Sequence, residues 1–169
     1  MAPLKVGDKF PSGIEFAYAP ITDPSPTACG MMTTFSCDTE FANKRVVLVS
    51  VPGAFTPTCQ ANHLPPYLSS ASALAAKGVD LICVIATNDA WVMAAWGKAN
   101  GVPPESESNV RMLSDSKSEF GKRFGWSLGE RNNRFAMVVE KDGTVSYAEC
   151  EEKPGVVTVS GAEAVMAKL

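Results

Sequence analysis

The residue best placed for chemistry is Cys59, which ends the octapeptide Pro52-Gly-Ala-Phe-Thr-Pro-Thr-Cys59. Before it runs Arg45-Val-Val-Leu-Val-Ser-Val51, a short β-branched apolar stretch that suits a strand buried on both faces. After it, Gln60 to Leu68 and the alanine-rich Ser69 to Lys77 read as helix. The sulfur is therefore expected where a buried strand gives way to a helix. There the unpaired N–H groups of a first helical turn, and their dipole, favour an anion, and a thiolate is the nucleophilic form of sulfur. His63, the single histidine, lies one helical turn further on. It is placed to hydrogen-bond locally, to fix the helix, or to act as an acid or base.

The elements that must hold this residue follow from pattern. Residues 1 to 44 are rich in turn formers, with a short alternating piece at Ile14 to Tyr18, and read as a β-hairpin-like cap. A second apolar run, Val79 to Thr87, joined to 45–51 by the helix, predicts a parallel βαβ unit. Asn88-Asp-Ala caps a helix from Ala90 to Ala99, which Asn100-Gly101 ends. Val110 to Leu113 is a strand, and Ser114-Asp-Ser caps a helix over 117–124. Arg134 to Glu140 and Val145 to Ala148 form an antiparallel hairpin with Asp-Gly in its turn. Ser160-Gly-Ala-Glu163 is a capping box for a last helix. Parallel strands, then an antiparallel hairpin and a helix, make an α/β, thioredoxin-like layout: a central mixed β-sheet flanked by helices, with an N-terminal β-hairpin extension. At 169 residues and 46% hydrophobic content, one domain over 1–169 is expected.

Composition excludes several classes. A net charge of −3 advertises no basic surface, so nucleic acid is not an expected partner. Neither a run of about 18 apolar residues nor a secretory apolar core occurs, so membrane insertion is not expected and a soluble, intracellular protein is. The five cysteines, at 29, 37, 59, 83 and 150, are odd in number and irregular in spacing, unlike a disulfide framework. A Cys-x-x-Cys redox motif is absent, with Thr56 standing where its first cysteine belongs. Cys59 and His63 have acceptable metal spacing, but one histidine and scattered cysteines make a poor tetrahedral zinc site.

Pro52-x-x-x-Thr56-x-x-Cys59 resembles the signature of the peroxiredoxins, and the full octapeptide with His63 is similar to their atypical type II branch. Trp96-Gly, Leu113-Ser-Asp115, Arg134-Phe-Ala-Met-Val-Val and Ser-Gly-Ala-Glu163 carry the likeness along nearly the whole chain. The resemblance implies a thiol peroxidase acting on hydrogen peroxide and alkyl hydroperoxides, with Cys59 oxidised to a sulfenic acid and no cofactor or metal. Chemistry agrees: a thiolate attacking an O–O bond needs donors for the charge on the leaving oxygen and a pocket that excludes water. Thr56 offers a hydroxyl and Pro52 a rigid wall. For the cation, Arg131 and Arg134 are rivals on sequence alone, and the match to the family's catalytic arginine favours Arg134.

The resemblance also implies a resolving thiol. Cys83 matches the position used in plant-type members and Cys29 a cysteine of fungal ones; the N-terminal region looks most like the fungal proteins, and a loop cysteine is freer to move than one in mid-strand, so Cys29 is favoured. Cys37 and Cys150 are bystanders. Thioredoxin, or glutaredoxin with glutathione, is the implied reductant, and a homodimer the implied assembly, consistent with an exposed apolar Phe55. The final Ala167-Lys168-Leu169 resembles a peroxisomal address, so cytoplasmic and peroxisomal residence are both expected.

Overall fold

The computed structural model describes residues 2–169. The chain opens with β1 (Glu15–Tyr18), β2 (Thr33–Ser36), α1 (Cys37–Glu40) and β3 (Val46–Ser50). A π-helical turn (Cys59–His63) then leads into α2 (Leu64–Ser69) and α3 (Ala71–Ala76), followed by β4 (Leu81–Ala86), α4 (Ala90–Ala99) and β5 (Val110–Ser114). A 3₁₀ turn (Ser116–Ser118) precedes α5 (Glu119–Arg123), the short ribbon of β6 (Ser127–Leu128) and β7 (Arg131–Asn132), β8 (Phe135–Val139), β9 (Val145–Cys150) and α6 (Ala162–Met166).

Seven strands form one mixed sheet in the order β2-β1-β5-β4-β3-β8-β9. The three apolar runs pair in parallel at its centre, β3 with β4 and β4 with β5, and β8 and β9 continue it antiparallel. Because side chains alternate across a strand, the sheet divides the core in two. On one face Val47, Val49, Ile82, Val84 and Val138 pack with Leu64, Tyr67, Trp96 and Val165 from α2, α4 and α6. On the other, Leu48, Cys83, Ile85 and Met137 pack with Cys37, Phe41, Phe120 and Phe124.

Several local expectations change. The N-terminal hairpin is part of the sheet rather than a separate cap: β1 pairs with β5 (Ala17 with Ser114, Tyr18 with Leu113), because Phe16 and Tyr18 alternate into the second core face. The Asp-Gly turn has Gly143 alone at positive φ, 80°, which makes a type I turn with a bulge rather than the two-residue mirror turn. Asp89 caps α4 as expected, accepting from the Val92 amide at 2.9 Å. Ser160 does not cap α6; no side chain caps it, and the Ser160 hydroxyl instead donates to Glu151 at 2.8 Å. Helix 117–124 begins later, at Glu119, since Lys117 and Ser118 are left-handed; the Asp115 carboxylate nevertheless caps it, accepting from Phe120 and Gly121.

Candidate active site

The segment carrying Cys59 is shaped by residues on both sides of it. Val51 continues β3 through its amide to the Ile85 carbonyl, and the chain then turns. The Asn88 side chain, just before α4, accepts from the Ala54 amide at 2.8 Å, and the Thr56 hydroxyl donates to the Gly53 carbonyl at 2.7 Å. Between them Phe55 is forced to φ 61°, a conformation costly for a bulky residue, and its ring is left 54% exposed near Trp96. Pro57 opens the helix, its missing N–H being no loss there, and Cys59 falls within the first turn. The π turn that follows is explained by Pro65 and Pro66, which can donate no helical hydrogen bond: the Leu64 amide reaches the Cys59 carbonyl one residue beyond the usual partner. The widened turn leaves Cys59 and His63 both fully buried, at 1% and 0% exposure.

Arg134 reaches the sulfur from the other side of the site. It immediately precedes β8, whose register against β3 puts Phe135 opposite Ser50 and so brings the arginine to the end of the strand that leads to Cys59. Its Nη2 donates to Cys59 Sγ at 3.4 Å and to the Pro154 carbonyl at 2.9 Å, its Nε also to Pro154 at 3.1 Å, and its Nη1 to His63 Nδ1 at 2.9 Å. A guanidinium only donates, so Nδ1 must accept, and the ring proton sits on Nε2, which donates to the Ser160 carbonyl at 2.8 Å. His63 is thus neutral and fully engaged: burial, and then the Arg134 charge, push its pKa down to about 4. The guanidinium is 1% exposed, and among the described residues no carboxylate pairs with it. Among the described residues, the Cys59 sulfur is the one side-chain sulfur that it meets.

Residues 5–166 match the Redoxin family. Over 98% of this chain and 99% of the relative, the sequence is 43% identical to peroxiredoxin Pen c 3 of Penicillium citrinum. The chain belongs to the peroxiredoxins. Another relative, 42% identical over 96% of this chain and 99% of its own, is a Lipomyces kononenkoae protein named as a peroxisomal peroxiredoxin. Among solved structures, reduced Prx3 of Vibrio vulnificus in complex with hydrogen peroxide superposes with a TM-score of 0.81 at 36% identity, covering 97% of this chain and 98% of that one. This peroxiredoxin is accordingly a peroxidase oxidoreductase on a thioredoxin-like fold.

The peroxiredoxin's other expected site residues are distributed unevenly. Thr56, three residues before Cys59, is half-buried, but its proton goes to Gly53, leaving lone pairs rather than a donor. Pro52 is half-buried at the start of the same loop. The rival Arg131 is exposed on β7, its guanidinium packed over Gly53. Cys29 is exposed in the long β1–β2 connection, whose carbonyls at Ser25 and Ala28 are held by Lys98 Nζ. Cys83 is fully buried in the core on the opposite face of the sheet from Cys59. Sequence reasoning missed the carbonyls of Pro154 and Ser160 and the Asn88 side chain. Backbone acceptors leave no mark in a sequence, and only the Asn-Asp pair before α4 was a visible signal.

Proposed function

We propose that Cys59 is the peroxidatic cysteine and reduces hydrogen peroxide and alkyl hydroperoxides. The observation that carries this is the buried Arg134 guanidinium, 3.4 Å from the sulfur and without a carboxylate partner among the described residues. The thiolate attacks one peroxide oxygen, the O–O bond breaks, and sulfur keeps that oxygen as a sulfenic acid, oxidised by two electrons. The other oxygen leaves with the bonding pair and takes a proton, as water or an alcohol. Arg134 stabilises the charge developing on that oxygen, and Thr56, its own proton engaged, accepts the O–H of the incoming hydroperoxide. Pro52 walls the loop. His63 acts by holding Arg134, since both ring nitrogens are occupied.

Cys29 is the resolving thiol in this reading. It condenses with the sulfenic acid to a disulfide, releasing water, and a thioredoxin, or glutaredoxin with glutathione, supplies the two electrons that reopen it. Its surface loop supports this choice, whereas Cys83 would have to cross the sheet. Homodimerisation is supported by exposed Phe55, and peroxisomal as well as cytoplasmic residence by the name of the Lipomyces relative.

Peroxide consumption with dithiothreitol as reductant tests the first step: Cys59→Ser is expected to abolish it, and retained turnover would remove Cys59 from the mechanism. Peptide mapping after one equivalent of peroxide tests the second. A Cys59–Cys29 linkage is expected, and a Cys59–Cys83 linkage, or a sulfenic acid with no disulfide, would overturn the assignment of Cys29.

A further inference from the structure

Every contact that aims Arg134 at Cys59, other than the sulfur itself, traces to one segment, residues 151–160, which is buried at its two ends, Glu151 and Ser160. The Pro154 carbonyl takes two of its N–H groups. His63 takes the third, and His63 is itself held by the Ser160 carbonyl, which also accepts from the Tyr67 hydroxyl at 2.7 Å. Residues 154 and 160 therefore have to be fixed relative to each other and to β8, although no helix or strand contains either of them.

The tie is Glu151. Its carboxylate is 4% exposed and has no cationic partner among the described residues. Oε1 accepts from the Thr158 amide at 2.6 Å, the Ser160 amide at 2.9 Å and the Ser160 hydroxyl at 2.8 Å, while Oε2 accepts from the Thr158 hydroxyl at 2.7 Å. The Glu151 amide donates to the Arg134 carbonyl at 2.8 Å, which anchors the same residue beside the arginine it serves. Four donors converging on a buried anion outweigh its desolvation; burial pushes the Glu151 carboxyl up, but bonds from Ser160 and Thr158 hold it below the usual range. The charge is used to close a loop of neutral backbone, whose Pro154 carbonyl then meets the guanidinium directly and whose Ser160 carbonyl holds His63 against it.

We propose that Glu151 is a positioning residue for peroxide reduction: by closing residues 151–160 onto its carboxylate it sets the Pro154 and Ser160 carbonyls that orient Arg134 on Cys59. This rests on the assignment of Cys59 and Arg134 as the reacting pair. Glu151→Gln keeps the shape but removes the charge, so the bonds from the Thr158 and Ser160 amides and hydroxyls lose their charge assistance, the loop loosens and the guanidinium loses its aim.

The test is a double-mutant cycle read on the rate of the first oxidation, followed by intrinsic fluorescence after rapid mixing with peroxide. Arg134→Ala alone is expected to slow that step by about a hundredfold or more, and Glu151→Gln alone by about tenfold or more. In the Arg134→Ala background Glu151→Gln should change the rate less than about twofold, because its route to the sulfur has already been removed. Full additivity would show a general structural effect and overturn the proposal, as would a wild-type rate in Glu151→Gln. Should Glu151→Gln fail to fold, Ser160→Ala, which deletes one of the four donors, is put through the same cycle with the same criteria. An unchanged rate in Arg134→Ala would instead sink the assignment of the reacting pair.

Discussion

Burial and a neighbouring cation together make His63 a neutral spacer, and this has a measurable thermodynamic side. In the unfolded chain its imidazole titrates near the ordinary value of 6.5, and in the folded protein at about 4. As pH falls through that interval, the unfolded chain binds a proton that the folded chain refuses. Stability that is fully present above the upper value is therefore lost towards the lower one, by up to about 3 kcal/mol. Urea denaturation at pH 7 and pH 4.5 should show wild type losing more stability than His63→Gln over the same range. Because the chain has one histidine, the difference between the two proteins isolates this group from the titrating carboxylates. Equal losses would show that protonating His63 is not what weakens the fold.

Among the elements, α4 packs tightly onto the sheet at Gly97. A Cβ at Gly97 would lie 2.7 Å from Met112 Cγ on β5 and 3.0 Å from Ile21 Cδ1. Gly97→Ala should therefore destabilise by about 1–2 kcal/mol, overpacking outweighing the gain in helix propensity, and a denaturation midpoint equal to or above wild type would show that Met112 simply yields. The helix itself was legible in the sequence, from its Asp89 cap to the Asn100-Gly101 stop, and so were β3 and β4, whose unbroken apolar runs reflect burial on both faces. Arg131 and Arg134 were not separable because both precede the same strand. Only the pairing of β8 with β3 sends one to the sulfur and leaves the other on the exposed β6–β7 ribbon. The Ser160 capping box misled for a related reason. Its hydroxyl has two possible partners, a helix N–H nearby in sequence and a carboxylate nine residues away, and sequence shows only the nearer.

At the scale of the whole molecule, the sheet separates the cysteines into compartments. Cys59 lies in the core on one face, Cys37 and Cys83 in the core on the other, and Cys29 on the outer surface. The oxidation proposed at Cys59 would thereby be kept from the interior thiols unless the sheet opens. The same interior holds a guanidinium with no carboxylate partner among the described residues, so if Cys59 reacts as the thiolate proposed above, anything that neutralises the sulfur leaves a cation buried alone, at a cost of several kcal/mol. Thermal denaturation at pH 8 should place Cys59→Ser below reduced wild type by roughly 5 °C or more, and equal melting temperatures would mean that the Pro154 carbonyl suffices to balance the charge. A sulfenic acid is neutral in the same sense. Each molecule caught between oxidation and repair would then be the first in the population to unfold and the first that a protease could cut. Survival of the protein in the cell would in that way keep a record of the peroxide it has met.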